Sequence, residues 1–172
     1  MAHSPSLDSV QSCVMPSPLG PLLLAAAGQE LVGLWFEDQT GIPAWAREAG
    51  LIEASGVLKQ TVDEVSAFLA GQRRGFTVPL RIMAGTPFQQ SVWQALRAIP
   101  YGQTTSYAQI AQAIGQPQAT RAVGAAIGRN PLGIIIPCHR VVGKNGAMTG
   151  YTGGLERKRA LLALETRALQ AL

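Results

Sequence analysis

The hydrophobic pattern of the chain changes period, and this change most constrains what the chain can fold into. Residues 12–38 contain short β-prone runs, broken by Pro-Leu-Gly at 18–20 and by Gly-Gln at 28–29, which is typical of a strand meander. Within residues 57–70 apolar residues instead recur at three- and four-residue steps, and Gly71 follows as a C-cap. The first part of the chain therefore predicts strands followed by an amphipathic helix.

The second half of the chain carries clear signals for helix starts. Thr86 stands before Pro-Phe-Gln, so Thr86 at the N-cap and Gln89 at N3 predict a capping box. Ser106 and Gln109 repeat this spacing, and Gly115 closes the helix that they begin. These signals predict at least two helices whose first turns are held by side chains.

A further short helix is predicted after a turn of a few residues. The turn is Gln-Pro-Gln at 116–118, and the helix is the stretch ATRAVGAAIGRN; the end of the chain, LERKRALLALETRALQAL, is also strongly helical. Two short helices joined in this way are typical of a helix-turn-helix, although an ordinary αα-hairpin has the same pattern. We expect an α+β fold, with a small antiparallel-sheet-plus-helix domain over residues 1–80, a linker over 81–86, and a mostly helical domain over 87–172 that contains the helix-turn-helix.

The second helix of this pair is rich in small residues, bracketed by Arg121 and Arg129. A major-groove helix would need Asn, Gln or Arg to reach base edges, whereas a helix surfaced with Ala and Gly suits the narrower minor groove. Tight packing against another helix explains the same composition equally well. The small residues are Ala119, Ala122, Gly124, Ala125, Ala126 and Gly128.

Charge is unevenly distributed along the chain. Residues 1–95 hold five Lys/Arg and eight Asp/Glu, a balance of −3, whereas residues 96–172 hold nine and two, a balance of +7; together they give the net +4. A basic half joined to an acidic half suggests a surface that faces a polyanion such as nucleic acid. A solvated basic face is the alternative interpretation.

Composition limits the class of protein. With 172 residues and 47% hydrophobic content, the chain can bury a core in one domain or two small ones. It has no apolar run of membrane-spanning length, and its first residues lack the order of a signal peptide, so we expect a soluble cytoplasmic protein with no membrane partner. In that compartment Cys13 and Cys138 are expected to be free thiols. His3 and His139 are the only histidines and lack ligand spacing with the cysteines, so no metal is expected.

The stretch GIIIPCHRVVG places a thiol, an imidazole and a guanidinium inside an apolar run that is typical of a buried strand or a pocket wall. Cys138 alone is weak evidence, since free cysteine is often buried and inert. Glu165 lies on an apolar helix face and needs a partner, for which His139, Arg140 and Lys158 are candidates. If the partner is His139, the imidazole can take the proton of Cys138 and leave a thiolate at neutral pH. A carboxylate that reaches water is the alternative.

Two stretches together resemble one protein family. YGQTTSYAQIAQAIGQPQATRAVGAAIGRN and NPLGIIIPCHRVVGKNGAMTGYTGG are similar to the O6-alkylguanine-DNA alkyltransferase family, which repairs alkylated guanine by direct transfer. The resemblance is strong from about Thr86 to Glu165, whereas residues 1–80 match only in their order of strands and helix. The motifs P-C-H-R-V, R-A-V-G and G-Y-x-G-G carry it.

The resemblance implies roles for individual residues. Cys138 would be the alkyl acceptor, His139 would bridge to its thiol through water, and Glu165 would hold the histidine. Tyr107 would donate a proton to the departing guanine. Asn130 would tie together the turn that presents the cysteine.

The resemblance also implies a DNA interface and a pocket. Arg121 would fill the gap left by an extruded nucleotide. Thr152 would offer its backbone N–H to the guanine O6, and carbonyls near Cys138 and Val141 would accept from the exocyclic amine. Gly133 stands where some members have proline, which favours tolerance of bulky alkyl groups. The remaining DNA-contacting candidates are Thr120 (alanine in many members), Ala122, Gly124, Ala125 and Arg129, and the remaining pocket candidates are Tyr151 and Gly153.

The expected partner is double-stranded DNA containing O6-alkylguanine, with O4-alkylthymine as a second substrate. The expected reaction is a single transfer that inactivates the protein after base flipping, without cofactor or metal, and the zinc ligands of some relatives are missing. We expect a monomer in solution and leave open whether several copies assemble on DNA. The alternatives are a lesion-binding protein or regulator without transfer activity, and a cysteine hydrolase that uses Cys138 and His139.

Overall fold

The computed structural model describes residues 9–171, which divide into two compact units, the first ending at Met83 and the second beginning at Ala84. His3 and the start of the chain, which were considered for metal ligation and for a signal peptide, lie outside the described residues. Among the helices that the structure describes, none has the length and apolar character needed to cross a membrane.

The first unit is built on a four-stranded sheet in the order β3-β2-β1-β4. Its strands are β1 (Val10–Met15), β2 (Leu22–Ala27), β3 (Glu30–Phe36) and β4 (Gly50–Leu51). The first three pair antiparallel as the sequence predicts, whereas the two-residue β4 adds a parallel edge. Every side chain of β2 is buried, because this interior strand is covered on both faces of the sheet.

Two helices accompany this sheet. The predicted amphipathic helix is confirmed as α2 (Gly56–Leu69), which packs against β1, β2 and β3. A short helix that the sequence did not predict, α1 (Ala44–Glu48), places Ala46 in a cluster of buried hydrophobic side chains on the sheet. Trp35 belongs to this cluster and lies across Gly33, where a Cβ atom would come within 1.9 Å of the indole ring.

The second unit is mostly helical, and together the two units confirm the α+β class. Both predicted capping boxes are present, at Thr86 with Gln89 and at Ser106 with Gln109. Its elements are α3 (Pro87–Arg97), β5 (Thr105–Ser106), α4 (Tyr107–Ala113), α5 (Thr120–Gly128), β6 (Val141–Val142) and α6 (Leu155–Gln170).

Helices α4 and α5 form the predicted pair of short helices, and α3 packs against both. The Trp93 indole of α3 donates to the Ala126 carbonyl of α5 at 2.8 Å. Strands β5 and β6 pair in parallel, with Thr105 opposite Val141. This pairing joins the start of α4 to the segment that follows Cys138, so residues 36 positions apart in sequence meet.

Candidate active site

The segment from Asn130 to Cys138 is a series of tight turns, so this part of the apolar run is not a buried strand, whereas its end, Val141–Val142, is the buried strand β6. Ile134 has a φ of +68°, a left-handed conformation that β-branched residues rarely adopt and that no strand contains. Residues Cys138–Arg140 then form one 3₁₀ turn. The apolar side chains of Ile134 and Ile136 are nevertheless buried, as pocket walls would be.

Asn130 holds these turns together. Its side-chain amide donates to the carbonyl of Ile136 at 2.8 Å, and its side-chain oxygen accepts from the N–H of Leu132 at 3.0 Å. The N–H of Cys138 donates to the same Ile136 carbonyl at 2.8 Å. A single buried amide therefore fixes the backbone on which the thiol is carried.

Glu165 of α6 is the centre of a buried polar network. His139 Nε2 lies 2.6 Å from one carboxylate oxygen, and Arg140 Nε donates to the other at 2.9 Å. The N–H of Gly102 donates to the carboxylate at 2.9 Å, and Arg140 also donates to the carbonyl of Ile99 at 2.8 Å. Glu165 is 1% exposed, so the alternative in which its carboxylate reaches water is wrong.

The protonation states in this network follow from its contacts. Burial tends to raise the pKa of Glu165, but hydrogen bonds from His139 and Arg140 outweigh burial and lower that pKa to about 2. Burial lowers the pKa of His139 despite the carboxylate beside it. A neutral imidazole that donates from Nε2 to Glu165 keeps a lone pair on Nδ1. Among the described residues this buried Nδ1 has no hydrogen-bond partner, so it is a free base.

Burial argues against a thiolate at Cys138 while no substrate is bound. Burial raises the pKa of the Cys138 thiol, and the hydrogen bond from Asn130, the positive charge of Lys158 and a hydrogen bond from Tyr151 offset this only in part. The resting group is a neutral thiol, because an apolar environment disfavours the anion. Nucleophilic attack therefore requires that a base removes the proton when substrate is present.

Lys158 has a different partner from the carboxylate considered in the sequence. Its ammonium is fully buried and donates to the carbonyls of Thr149 and Gly150, at 2.9 and 3.4 Å. Burial lowers the pKa of Lys158, and the nearby Cys138 raises it in part. Lys158 and Glu165 are seven residues apart and share the buried face of α6, a spacing that could have revealed them together.

Tyr107 begins α4, and its hydroxyl meets the segment that precedes Tyr151. Thr149 Oγ1 donates to the Tyr107 hydroxyl at 3.2 Å, and that hydroxyl donates to the Gly150 carbonyl at 3.4 Å. Tyr151, predicted only for the pocket lip, also has a hydroxyl contact with the thiol of Cys138. Burial raises the pKa of Tyr151 well above its ordinary value, and Cys138 raises it further.

The other predicted pocket residues surround this group. Val141 is fully buried in β6. The Thr152 hydroxyl donates to the carbonyl of Gly128 at the end of α5, at 2.9 Å. The carbonyl of Gly153 accepts from Arg157 at 3.2 Å. Thr152 thus links this segment to the helix that carries the predicted DNA contacts.

The outer face of α5 is exposed and carries mostly small side chains. Its inner face packs against α3 and α4. Ala126 is buried, and Gly124 lies beside the Tyr107 ring, where a Cβ would be 3.8 Å away. The packing interpretation of the small residues therefore applies to the inner side of the helix, and the DNA contacts stay a prediction for the exposed side. The exposed predicted DNA-contacting residues are Thr120, Arg121, Ala122, Ala125 and Arg129.

Cys13 and Cys138 are both free thiols. Across residues 9–171, no three His, Cys, Asp or Glu side chains are grouped closely enough to hold a metal ion.

Comparison with known proteins matches both units. Residues 12–82 match the family described as 6-O-methylguanine DNA methyltransferase, ribonuclease-like domain, and residues 87–167 match its DNA binding domain. A methylated-DNA–protein-cysteine methyltransferase of Mycobacterium leprae (strain TN) is 48% identical over 151 residues, which cover 88% of this chain and 89% of the relative. The inducible methylated-DNA–protein-cysteine methyltransferase of Bacillus subtilis (strain 168) is 54% identical over 128 residues, which cover 72% of this chain and 71% of the relative.

A solved structure agrees with these relatives. The crystal structure of Mycobacterium tuberculosis OGT in complex with DNA superposes with a TM-score of 0.84 at 46% identity, covering 92% of this chain and 94% of that one.

Proposed function

The chain belongs to the 6-O-methylguanine DNA methyltransferase family, and from this premise we propose that it repairs DNA by transferring the alkyl group of O6-alkylguanine to its own Cys138. O4-alkylthymine is a second proposed substrate. The observation that carries the proposal is the buried His139–Glu165 pair at 2.6 Å, which leaves Nδ1 without a partner on the residue that follows Cys138 in the chain. The domain assignment is proposed as well: residues 87–172 bind DNA and carry out transfer, 81–86 form a linker, and 1–80 have a structural role.

The reaction begins with extrusion of the damaged base. An alkyl carbon on O6 of a stacked guanine cannot be reached in line by a side chain, so the nucleotide must leave the helix at a cost of a few kcal/mol. The exposed small face of α5 would lie in the minor groove, and Arg121 would occupy the gap. In the pocket, the backbone N–H of Thr152 would bind O6, and carbonyls near Cys138 and Val141 would accept from the exocyclic amine.

The chemical step is a single displacement. His139 Nδ1 accepts the Cys138 proton, directly or through water, and the sulfur forms a bond to the alkyl carbon. The bond from that carbon to O6 breaks, and its electron pair remains on guanine. Tyr107 gives its proton to the guanine, and a general acid of this kind contributes about 10²–10⁴-fold to the rate. Glu165 stabilises the imidazolium that His139 becomes.

The product determines the stoichiometry. A thioether has no good leaving group, so neither water nor a second thiol regenerates Cys138. Each molecule therefore repairs one base, and a monomer is sufficient for the reaction. A Gly133 flexible enough to widen the pocket would admit alkyl groups larger than methyl.

Intact-protein mass spectrometry tests this proposal. The protein is incubated with a duplex containing O6-methylguanine, with Cys138→Ser as the control. A gain of one methyl group per wild-type molecule, lost in the variant, supports transfer. Unchanged mass with retained lesion binding would instead indicate a lesion-binding protein or regulator, and multiple turnover would indicate a hydrolase.

A further inference from the structure

Thr149 has no role in the proposed reaction but makes three directed contacts at the site. Its hydroxyl donates to the Tyr107 hydroxyl at 3.2 Å, and its carbonyl accepts from Lys158 at 2.9 Å. Its methyl carbon packs on Gly143, where an added Cβ would be only 2.9 Å from it. The backbone and both branches of the side chain are therefore held by three different segments.

Gly143 fixes the direction of the Thr149 hydroxyl. A β-branched side chain has few accessible χ1 rotamers, and the rotamer that places the methyl over Gly143 directs Oγ1 to Tyr107. A side chain at residue 143 would displace this methyl. The geometry thus depends on a glycine for space rather than for backbone freedom.

Lys158 fixes the backbone of the same segment. A buried ammonium is costly unless its protons are hydrogen-bonded, so its bonds to the Thr149 and Gly150 carbonyls tie residues 149–150 firmly to α6. The Gly150 carbonyl is also the acceptor for the Tyr107 hydroxyl. One buried cation therefore holds both groups that contact the Tyr107 oxygen.

The two contacts of the Tyr107 oxygen differ in strength and direction. At 3.4 Å the hydrogen bond to Gly150 is long, so it is readily exchanged for one to a bound base. In the bond at 3.2 Å, Thr149 donates and the phenol oxygen accepts, which leaves the phenolic proton available.

We propose that Thr149 is a positioning residue for the proton donor: its hydroxyl holds the Tyr107 oxygen in place and hydrogen-bonds the phenolate that remains after proton transfer. This role rests on the proposed function, in which Tyr107 protonates the departing guanine. As the bond from the alkyl carbon to O6 breaks, the proton moves from Tyr107 to guanine, and negative charge develops on the phenol oxygen. A hydrogen bond to an ionised oxygen is about twice as strong as one to a neutral oxygen, so Thr149 stabilises the transition state more than the bound substrate.

Two substitutions separate the hydroxyl from the shape of the side chain. Thr149→Val keeps both branches but removes the donor, whereas Thr149→Ser keeps the donor and removes the methyl. In single-turnover transfer from saturating O6-methylguanine duplex, Thr149→Val is expected to be slower by about 10-fold or more, the usual effect of one hydrogen bond to a charged group. Thr149→Ser should be within about threefold of the wild type, and both variants should bind the duplex as the wild type does.

The same substitution in a Tyr107→Phe protein tests whether Thr149 acts through Tyr107. With the phenol oxygen removed, Thr149→Val should cause no further loss of rate. A full-speed Thr149→Val, equal losses in the Val and Ser variants, or a further loss in the Tyr107→Phe background would each overturn the role of Thr149. A wild-type protein that transfers nothing would overturn the proposed function, and the role of Thr149 with it.

Discussion

Within the part of the chain that the structure describes, each unit buries one carboxylate on a helix, but the two carboxylates have different partners. Glu64 of α2 accepts from the N–H and the hydroxyl of Thr77 at 2.6 and 2.9 Å, and so fastens a loop to the helix. Glu165 of α6 accepts from Arg140 and from the imidazole of His139. The first carboxylate holds backbone, and the second holds a base.

The electrostatic surroundings of the two groups are otherwise alike. Burial tends to raise the pKa of Glu64, but hydrogen bonds from Thr77 and Gln60 and the charge of Arg73 lower it overall. Thr77 and Gln60 are not acids or bases near neutral pH. A buried carboxylate with a lowered pKa is therefore not evidence of a reactive site. The distinguishing feature of Glu165 is a titratable partner whose second nitrogen is free.

The largest expected effect separates the two carboxylates by activity. Glu165→Gln should slow transfer from O6-methylguanine duplex by about 10²–10⁴-fold, because the imidazolium loses its counter-charge, with nearly unchanged lesion-DNA affinity. Glu64→Gln should transfer at the wild-type rate. Single-turnover rates and binding to a lesion duplex measure both. A full-speed Glu165→Gln would remove this carboxylate from the reaction.

A second comparison uses one exposed arginine from each unit. Arg121→Ala should reduce transfer from duplex by about 10- to 100-fold, since the cost of base extrusion is no longer offset. Transfer from free O6-benzylguanine, which needs no extrusion, should be retained. Arg47→Ala in the first unit should change neither rate. Equal loss by Arg121→Ala on both substrates would refute its place in the DNA gap.

Stability against pH provides a third comparison. The pKa of Glu165 is about 2 in the folded protein against 4.5 for the free group, so the unfolded chain binds more protons below 4.5. The resulting stabilisation, about 3 kcal/mol, is present above that pH and is lost as the pH falls toward 2. Urea unfolding measured from neutral to acid pH should show that the free energy of unfolding falls less in Glu165→Gln than in the wild type. Glu64→Gln should remove only the share of the acid-dependent loss of stability that Glu64 contributes. A Glu165→Gln protein that keeps the full acid loss would contradict the assignment.

The smallest effect is expected at the partner of Glu64. Arg73 lies 3.1 Å from the carboxylate, but a third of its side chain is exposed, so solvent screens the pair. Arg73→Gln should lower the free energy of unfolding by no more than about 1 kcal/mol and leave transfer unchanged. Urea unfolding measures the first quantity and the single-turnover assay the second. A loss of several kcal/mol would mean that the loop depends on this ion pair.

Much of the second unit could be predicted from local sequence signals. The capping residues at Thr86 and Ser106 act within four residues, so they mark helix starts whatever the rest of the chain does. The apolar surroundings of Glu165 in sequence likewise indicated a buried carboxylate that needs a partner. Local periodicity is sufficient where the interaction is itself local.

Other parts of the site depend on contacts that periodicity does not record. The left-handed Ile134 is imposed by the turn around Asn130, against the preference of an isoleucine for extended backbone. The two-residue pairing of β5 with β6 is too short to leave a pattern. The protonation of Cys138 depends on how fully the folded chain excludes water, which a sequence motif does not specify. Thr149 was missed because its hydroxyl acts across 42 residues of chain.

The central claim is that Cys138 is a neutral thiol at rest and loses its proton to His139 only when a damaged base is in the pocket. An ultraviolet titration of thiolate absorbance in the free protein, with the Cys138→Ser titration subtracted, directly measures the ionisation of Cys138 at rest. The account predicts no thiolate at neutral pH and its appearance only above pH 9, the ordinary value, while methyl transfer from duplex proceeds at neutral pH. A thiolate already formed in the free protein at neutral pH would contradict it.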